Sequence, residues 1–157
     1  MNEQEKQALV TSLRLLAATP KSRKVLQKKL EEKGYPEETV LKTLDQLETQ
    51  GLLNDRILAQ SLFQTLSNYR GEGRKRVAFE MKKRGIGNDL IQELLENYSP
   101  EDEHSKALEL ARERLDRWKG IDRMKRRKKI YDFLCRRGFD FNLSRDVMNE
   151  VEKENAA

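Results

Sequence analysis

At 157 residues and 18.5 kDa, with 38% charged and 36% hydrophobic residues, a net charge of +5 and a pI near 9.3, the chain has room for one domain or a few small units, and its recurring apolar residues argue against disorder along the whole length. One cysteine, Cys135, and one histidine, His104, exclude an internal disulfide framework, a cysteine-rich metal site and most histidine-based catalysis. No run approaches the roughly 18 apolar residues of a membrane span, and MNEQEKQALV has acids before any apolar stretch, so no membrane and a cytoplasmic setting are expected.

Apolar residues recur with the helical period from one end to the other. Leu9, Leu13 and Leu16 share a face, which Thr19-Pro20 interrupts. Residues 20–33 carry Val25, Leu26 and Leu30 and end at Gly34; residues 37–50 carry Val40, Leu41, Leu44 and Leu47 and end at Gly51. Residues 55–69 read as one helix on Leu58, Ala59, Leu62, Phe63 and Leu66, stopped by Gly71 and Gly73. Residues 74–84 follow with Val77 and Met81, then 88–98 with Ile91, Leu94 and Leu95. Ser99-Pro100, followed by three acids, is a helix start. Residues 101–118 carry Ala107, Leu108, Ala111 and Leu115, residues 124–137 carry Ile130, Phe133 and Leu134, and residues 143–151 carry Val147, Met148 and Val151.

A repeat is visible in the letters. LEEKGY, MKKRGI and LCRRGF are one motif, with glycines at 34, 85 and 138 and spacings of 51 and 53. An apolar anchor, a base, Gly and a second apolar residue fit a helix end in which the base faces the negative dipole end and Gly supplies the left-handed turn. The expected architecture is all-α, with three tandem three-helix repeats, 1–51, 52–99 and 100–153, stacked into an elongated, curved array, and a frayed tail at 154–157.

Covalent chemistry has no visible site. GEG at 71–73 is too short for a phosphate-cradling loop, follows no strand and reads as a linker. His104 reads as an exposed first-turn residue and Cys135 as a partly buried structural thiol. Trp118 reads as a core residue, with an interface aromatic as the alternative. No enzyme, metal or cofactor is expected.

The bases are clustered. Residues 70–84 hold Arg70, Arg74, Lys75, Arg76, Lys82, Lys83 and Arg84 against Glu72 and Glu80, net +5. Residues 119–137 hold Lys119, Arg123, Lys125, Arg126, Arg127, Lys128, Lys129, Arg136 and Arg137 against Asp122 and Asp132, net +7. Both stretches fall on the middle helix of a repeat, so stacked repeats could align them into a stripe that follows a polyanion. Lys and Arg with few Asn or Gln suit phosphate contacts better than base readout.

The order and spacing of these pieces resemble the RecX family of regulatory proteins over about residues 7–152. SLRLLAATPKSRKVLQKKLEEKGY is similar to the family's opening helices. LLNDRILAQSLFQTLSNYRGEGRKRVAFEMKKRGI is similar to its most characteristic stretch, with Leu53, Asn54, Asp55, Leu58, Ala59, Arg70, Gly71 and Gly73 at the family's places. ALELARERL and RRKKIYDFLCRRGFDFNLSRDVM are similar to its third repeat. Leu58 stands where an aromatic is frequent, and Arg74 where many members have Pro, which should leave that helix start less rigidly set.

The resemblance implies a non-catalytic modulator of the RecA recombinase. Such a protein lodges along the RecA filament on single-stranded DNA and inhibits or tunes its ATPase, strand-exchange and coprotease activities. It implies roles in recombination and the SOS response, with the RecA filament and single-stranded DNA as partners; a monomer is the simpler expectation. The alternative is a general helical-repeat DNA-binding protein. The contact residues expected from clustering are all the bases of both stretches apart from Lys119, led by Arg70, Arg74, Arg76, Lys125, Arg126 and Lys129, with Arg112 and Arg117 extending the surface.

Overall fold

The computed structural model describes residues 1–156. Among them lie nine α-helices and no strand: α1 Glu3–Ala18, α2 Arg23–Glu32, α3 Glu37–Thr49, α4 Asp55–Phe63, α5 Arg74–Lys83, α6 Asn88–Leu95, α7 Pro100–Arg117, α8 Arg123–Arg136 and α9 Phe141–Ala156. They fall into three triplets, α1–α3, α4–α6 and α7–α9.

By compactness the chain forms two units. One is Met1–Ser61 with Met81–Ile91; the other is Leu62–Glu80 together with the chain from Gln92 on, so each helix of the middle triplet is shared between them. In the first unit Leu26, Leu30, Val40, Leu44, Leu47 and Leu53 form a core, with Leu9, Leu15 and Leu16 packed against it. In the second, Ala107, Ala111, Leu115, Ile130, Leu134, Phe139, Val147 and Val151 are buried together, with Trp118 half-buried at the margin.

Helix boundaries differ from the sequence pattern where polar groups intervene. Helix α2 starts at Arg23 rather than at residue 20, because Ser22 Oγ accepts the Val25 amide at 3.2 Å and makes Ser22 the cap. The single helix expected over 55–69 is α-helical only to Phe63. Residues Gln64–Tyr69 widen into a π-helical segment, in which Ser67 Oγ donates to Phe63 O at 2.6 Å and Arg70 N to Thr65 O at 2.9 Å. Helix α6 stops at Leu95, three residues early, and the carbonyls of Leu95 and Tyr98 accept from the Arg74 guanidinium instead.

The frayed tail needs correction for residues 154–156. Helix α9 begins at Phe141, with Asp140 accepting the Leu143 amide at 2.7 Å, and runs through Ala156. Glu152 is buried against Arg126, and Glu154 holds Arg112 at 2.7 and 3.0 Å; Ala157 lies outside the described residues. His104 is likewise half-buried rather than free, 3.1 Å from Glu150.

The repeated motif makes the expected helix end. In each copy the amide after Gly reaches back to the anchor's carbonyl: Tyr35 to Leu30, Ile86 to Met81 and Phe139 to Leu134, at 3.3, 3.1 and 3.2 Å. In the second and third copies the base also reaches a carbonyl distant in sequence. Arg84 Nη2 donates to Pro20 O at 3.2 Å, and Arg137 Nη2 donates to Arg70 O.

Those bonds belong to a recurring joint. Gly85, at φ +83°, lies so close to Ser22 that a Cβ would stand 2.3 Å from its Oγ. Gly138, at φ +96°, lies against the start of α5, where a Cβ would stand 2.4 Å from Arg76 N. In both places the glycine ending one middle helix touches the N-terminus of the preceding triplet's middle helix. An acid from the following triplet's first helix also caps that N-terminus: Asp55 accepts Arg23 N at 2.9 Å, and Glu103 accepts Arg74 N at 2.7 Å. Gly34 has nothing within 4 Å of the equivalent position.

Candidate functional site

The second unit contains a backbone crossing that fixes many of the clustered bases. Gly73 N donates to Arg137 O at 2.8 Å, and Lys75 N to Gly138 O at 3.1 Å. A Cβ on Gly73 would meet the Gly138–Phe139 backbone at 2.4 Å, so only glycine fits. The segment 71–73 is therefore no slack linker. Glu72 N donates to Leu66 O at 2.8 Å, and the Tyr98 hydroxyl to Glu72 O at 2.7 Å. Burial, with Glu103 close by, pushes the Tyr98 phenol well above its usual range and keeps it a neutral donor.

Glu72 is the acid at the centre. It is 3% exposed, and its Oε1 stands 3.9 Å from both Arg70 Nη1 and Arg76 Nε, while Oε2 has no hydrogen-bond partner. Arg76 also reaches Glu80 at 3.5 Å. Arg70 and Arg76 are thus gathered electrostatically but remain exposed.

Several expected contact residues are engaged inside the molecule. Arg126 is the clearest correction: it is 8% exposed, holds both oxygens of Glu152 at 2.9 Å and donates to Ile121 O at 3.2 Å. These bonds raise the Arg126 pKa further and hold the Glu152 carboxyl below its ordinary range. Arg74 is a second. Its guanidinium bonds Leu95 O and Tyr98 O, lies 3.6 Å from Glu103 and sits over the Tyr98 ring. The Arg74 amide, which Pro would lack, donates to Glu103, so this helix start is tied down and not loosened.

Arg84 and Arg137 serve the joints, Arg112 holds Glu154, Arg127 donates to Asn149 at 2.7 Å, and Lys128 pairs with Asp132 at 2.9 Å. Of the expected contact residues, those exposed with no carboxylate partner among the described residues are Lys75, Arg117, Arg123, Lys125, Lys129 and Arg136 in the second unit, and Lys82 and Lys83 in the first.

Aromatic rings organise part of this face. Lys129 Nζ lies 5.1 Å from the Trp118 ring centre, and Arg114 lies between Trp118 and Phe133, 5.9 and 4.4 Å from their centres. Arg137 approaches Phe133 from the other end at 5.9 Å. Alternating cations and rings thus run from α8 to the crossing, each side chain held by its neighbours. In the first unit Lys82 and Lys83 line a groove with Lys24 and Lys28 of α2. Those two lysines do not stand out in the charge of the first third, where residues 1–50 carry 9 bases against 8 acids, although residues 21–33 alone hold six bases against Glu31 and Glu32.

The architecture and this face define a class: a protein of three helical triplets joined through glycine turns, with unpaired cations outside the joints. Family models agree in order and span. The first three-helix domain of RecX matches residues 8–47, the second 54–95 and the third 101–148. The chain is 33% identical over 147 residues to Regulatory protein RecX of Chlorobium phaeobacteroides, covering 94% of this chain and 95% of that one. It is 30% identical to Regulatory protein RecX of Streptomyces coelicolor, covering 94% and 79%.

Two crystal structures share the fold. RecX from Lactobacillus salivarius, 21% identical, superposes with a TM-score of 0.83 over 97% of this chain and 99% of that one. A regulatory protein RecX, 26% identical, gives 0.78 over 94% and 72%. The chain belongs to the RecX family of regulatory proteins. None of its helices among the described residues is long and apolar enough to cross a membrane.

Proposed function

We propose that this chain regulates the RecA recombinase in the bacterial cytoplasm, by binding the RecA filament on single-stranded DNA and restraining its ATPase, strand-exchange and coprotease activities without catalysis of its own. Family membership supports the regulatory role. The observation that carries the binding reading is the set of exposed cations left over once the internal ion pairs are made: Lys75, Lys125, Lys129 and Arg136 on elements anchored by the crossing. A rigid scaffold that presents unpaired cations loses little entropy when it meets a polyanion or an acidic protein surface.

Filament modulation works by differential affinity. A ligand that binds one filament arrangement better than another shifts the balance toward it, and no more than that difference allows. Binding as a monomer along the filament, with DNA contacts made directly or through RecA, is the simplest form of the proposal. The groove with Lys24, Lys28, Lys82 and Lys83 gives the second reading, a general DNA-binding protein, its own support.

One experiment separates them. ATP hydrolysis by cognate RecA on single-stranded DNA is measured while this protein is titrated, at two DNA concentrations. Inhibition at sub-stoichiometric protein that excess DNA does not relieve is the expected result. Inhibition that excess DNA abolishes supports the general DNA-binding reading, and absence of inhibition with folded protein refutes filament modulation.

A further inference from the structure

Two phenylalanines stand outside every core and joint. Phe79 on α5 is 61% exposed and Phe141 at the start of α9 is 65% exposed. Val77 and Met81, which flank Phe79 on α5, are fully buried, so the outward direction of Phe79 follows from helical register. Lys75 joins the two rings. It is one turn before Phe79 on the same helix face, and its Nζ lies 4.9 Å from the centre of the Phe141 ring.

We propose that Phe79 and Phe141 are a base-stacking platform for single-stranded nucleic acid, with Lys75 between them as a phosphate contact. The surroundings favour this occupant over a protein partner. A protein-docking aromatic is normally rimmed by apolar residues at the centre of a dry patch. Here Phe79 follows Lys75 and Arg76, and Phe141 has Lys75 against its ring and Arg145 one turn further along α9.

Nearby acids are already engaged: Glu80 with Arg76 at 3.5 Å, Asp146 with Arg145 at 3.5 Å, and Asp140 with the Leu143 amide. An exposed ring beside an unpaired ammonium suits a nucleotide, which offers a π face and an anion together. The platform is also rigid. Lys75 N donates to Gly138 O, and Gly138 touches Arg76, so the backbones carrying both rings are locked to each other within the second unit.

The proposal deepens the reading of this face as one that meets a nucleoprotein filament, and rests on it. Its distinguishing property is dependence on bases. Phosphate contacts alone treat a DNA strand and an abasic phosphodiester strand of equal length alike, whereas stacking favours the former by roughly tenfold for each ring engaged.

The test is fluorescence anisotropy with labelled oligo(dT) and a labelled abasic oligomer of the same length, at fixed salt. The proteins are the full chain, Phe79→Ala, Phe141→Ala, the double variant and Lys75→Gln, each checked by circular dichroism. The parent should prefer oligo(dT), the double variant should lose that preference while keeping its abasic affinity, and Lys75→Gln should weaken both probes. Equal binding of both probes by the parent overturns the platform and leaves phosphate binding standing. Absence of binding to either overturns the platform and direct DNA contact together, and the RecA ATPase titration then decides filament modulation on its own. A double variant that keeps the preference but loses its effect on RecA assigns the rings to protein contact, which also overturns the proposal.

Discussion

The three motif glycines make a graded series in which one substitution tests the joint. Gly34, Gly85 and Gly138 have φ values of +91, +83 and +96°, so Ala at any of them carries the left-handed backbone penalty of about 1–2 kcal/mol. The gain from restricting the unfolded chain is also shared. What differs is the neighbour. Gly34 has open space, so Gly34→Ala should cost only that penalty. At Gly85 the new Cβ meets Ser22 Oγ at 2.3 Å; the hydroxyl can rotate away, but α2 then loses its cap, adding about 1 kcal/mol. At Gly138 the Cβ meets Arg76 N and Cα at 2.4 and 2.9 Å, and backbone cannot rotate away. The crossing must open, losing the Gly73–Arg137 and Lys75–Gly138 hydrogen bonds at about 1 kcal/mol each, for a total of about 4 kcal/mol.

Urea denaturation followed by far-ultraviolet circular dichroism and by the fluorescence of Trp118, the only tryptophan, reads the series. With a slope of about 2 kcal/mol per molar urea, the midpoint should fall by roughly 2 M for Gly138→Ala and by less than about 1 M for Gly34→Ala. Trp118 packs beside Phe133 in the second unit, so its signal should respond to Gly138→Ala. Equal midpoint shifts for all three variants would refute the joint as the reason these glycines recur.

Other outcomes follow from the ion pairs. Arg126→Ala strands the buried Glu152 carboxylate and should cost about 3–5 kcal/mol by the same denaturation assay, whereas Lys129→Glu should leave the midpoint nearly unchanged and weaken filament or DNA binding. Because Arg126 holds the Glu152 carboxyl below its unfolded value, this pair stabilises fully above the ordinary carboxylate range and its contribution fades as pH falls through the lowered folded value; Glu152→Gln should lose that component of acid sensitivity in a stability-versus-pH series. Arg74→Pro should destabilise the protein despite standing at a helix start, since it removes an amide bound to Glu103 and a guanidinium bound to two carbonyls; a raised melting temperature would refute this.

The helices were legible because their signal is local. A 3.6-residue period and a Gly turn involve residues within a few positions of each other, and the turn at Leu30–Tyr35 could be read from six letters. The joint was not legible, because Gly85 against Ser22 and Glu103 against Arg74 are relations between distant residues with no shared pattern. The same limit governed the basic residues. Arg126 and Lys129 are alike in charge and only three residues apart in sequence, but Arg126 faces Glu152 on α9 while Lys129 lies over the Trp118 ring. The run RMKRRKKI spans more than two turns, so some of its bases had to turn inward. Which ones did so depended on where α9 placed its carboxylates.

Charge clustering in this chain therefore mixes two functions that composition cannot separate. Arginine dominates the internal group: Arg74, Arg84, Arg126 and Arg137 all reach backbone carbonyls, using a planar fork with several donors to close helix ends. Lysine dominates the unpaired group in the two basic stretches, with Lys75, Lys82, Lys83, Lys125 and Lys129 left to solvent or to aromatic rings. A point charge on a flexible stem closes a joint poorly but can follow a phosphate chain. Replacing the first group should act on stability and only through it on binding. Replacing the second should lower the salt dependence of binding by about one counterion for each lysine that contacts phosphate, with the midpoint in urea unmoved. If lysine variants lost stability and kept their salt dependence, the division of labour drawn from these side chains would be wrong.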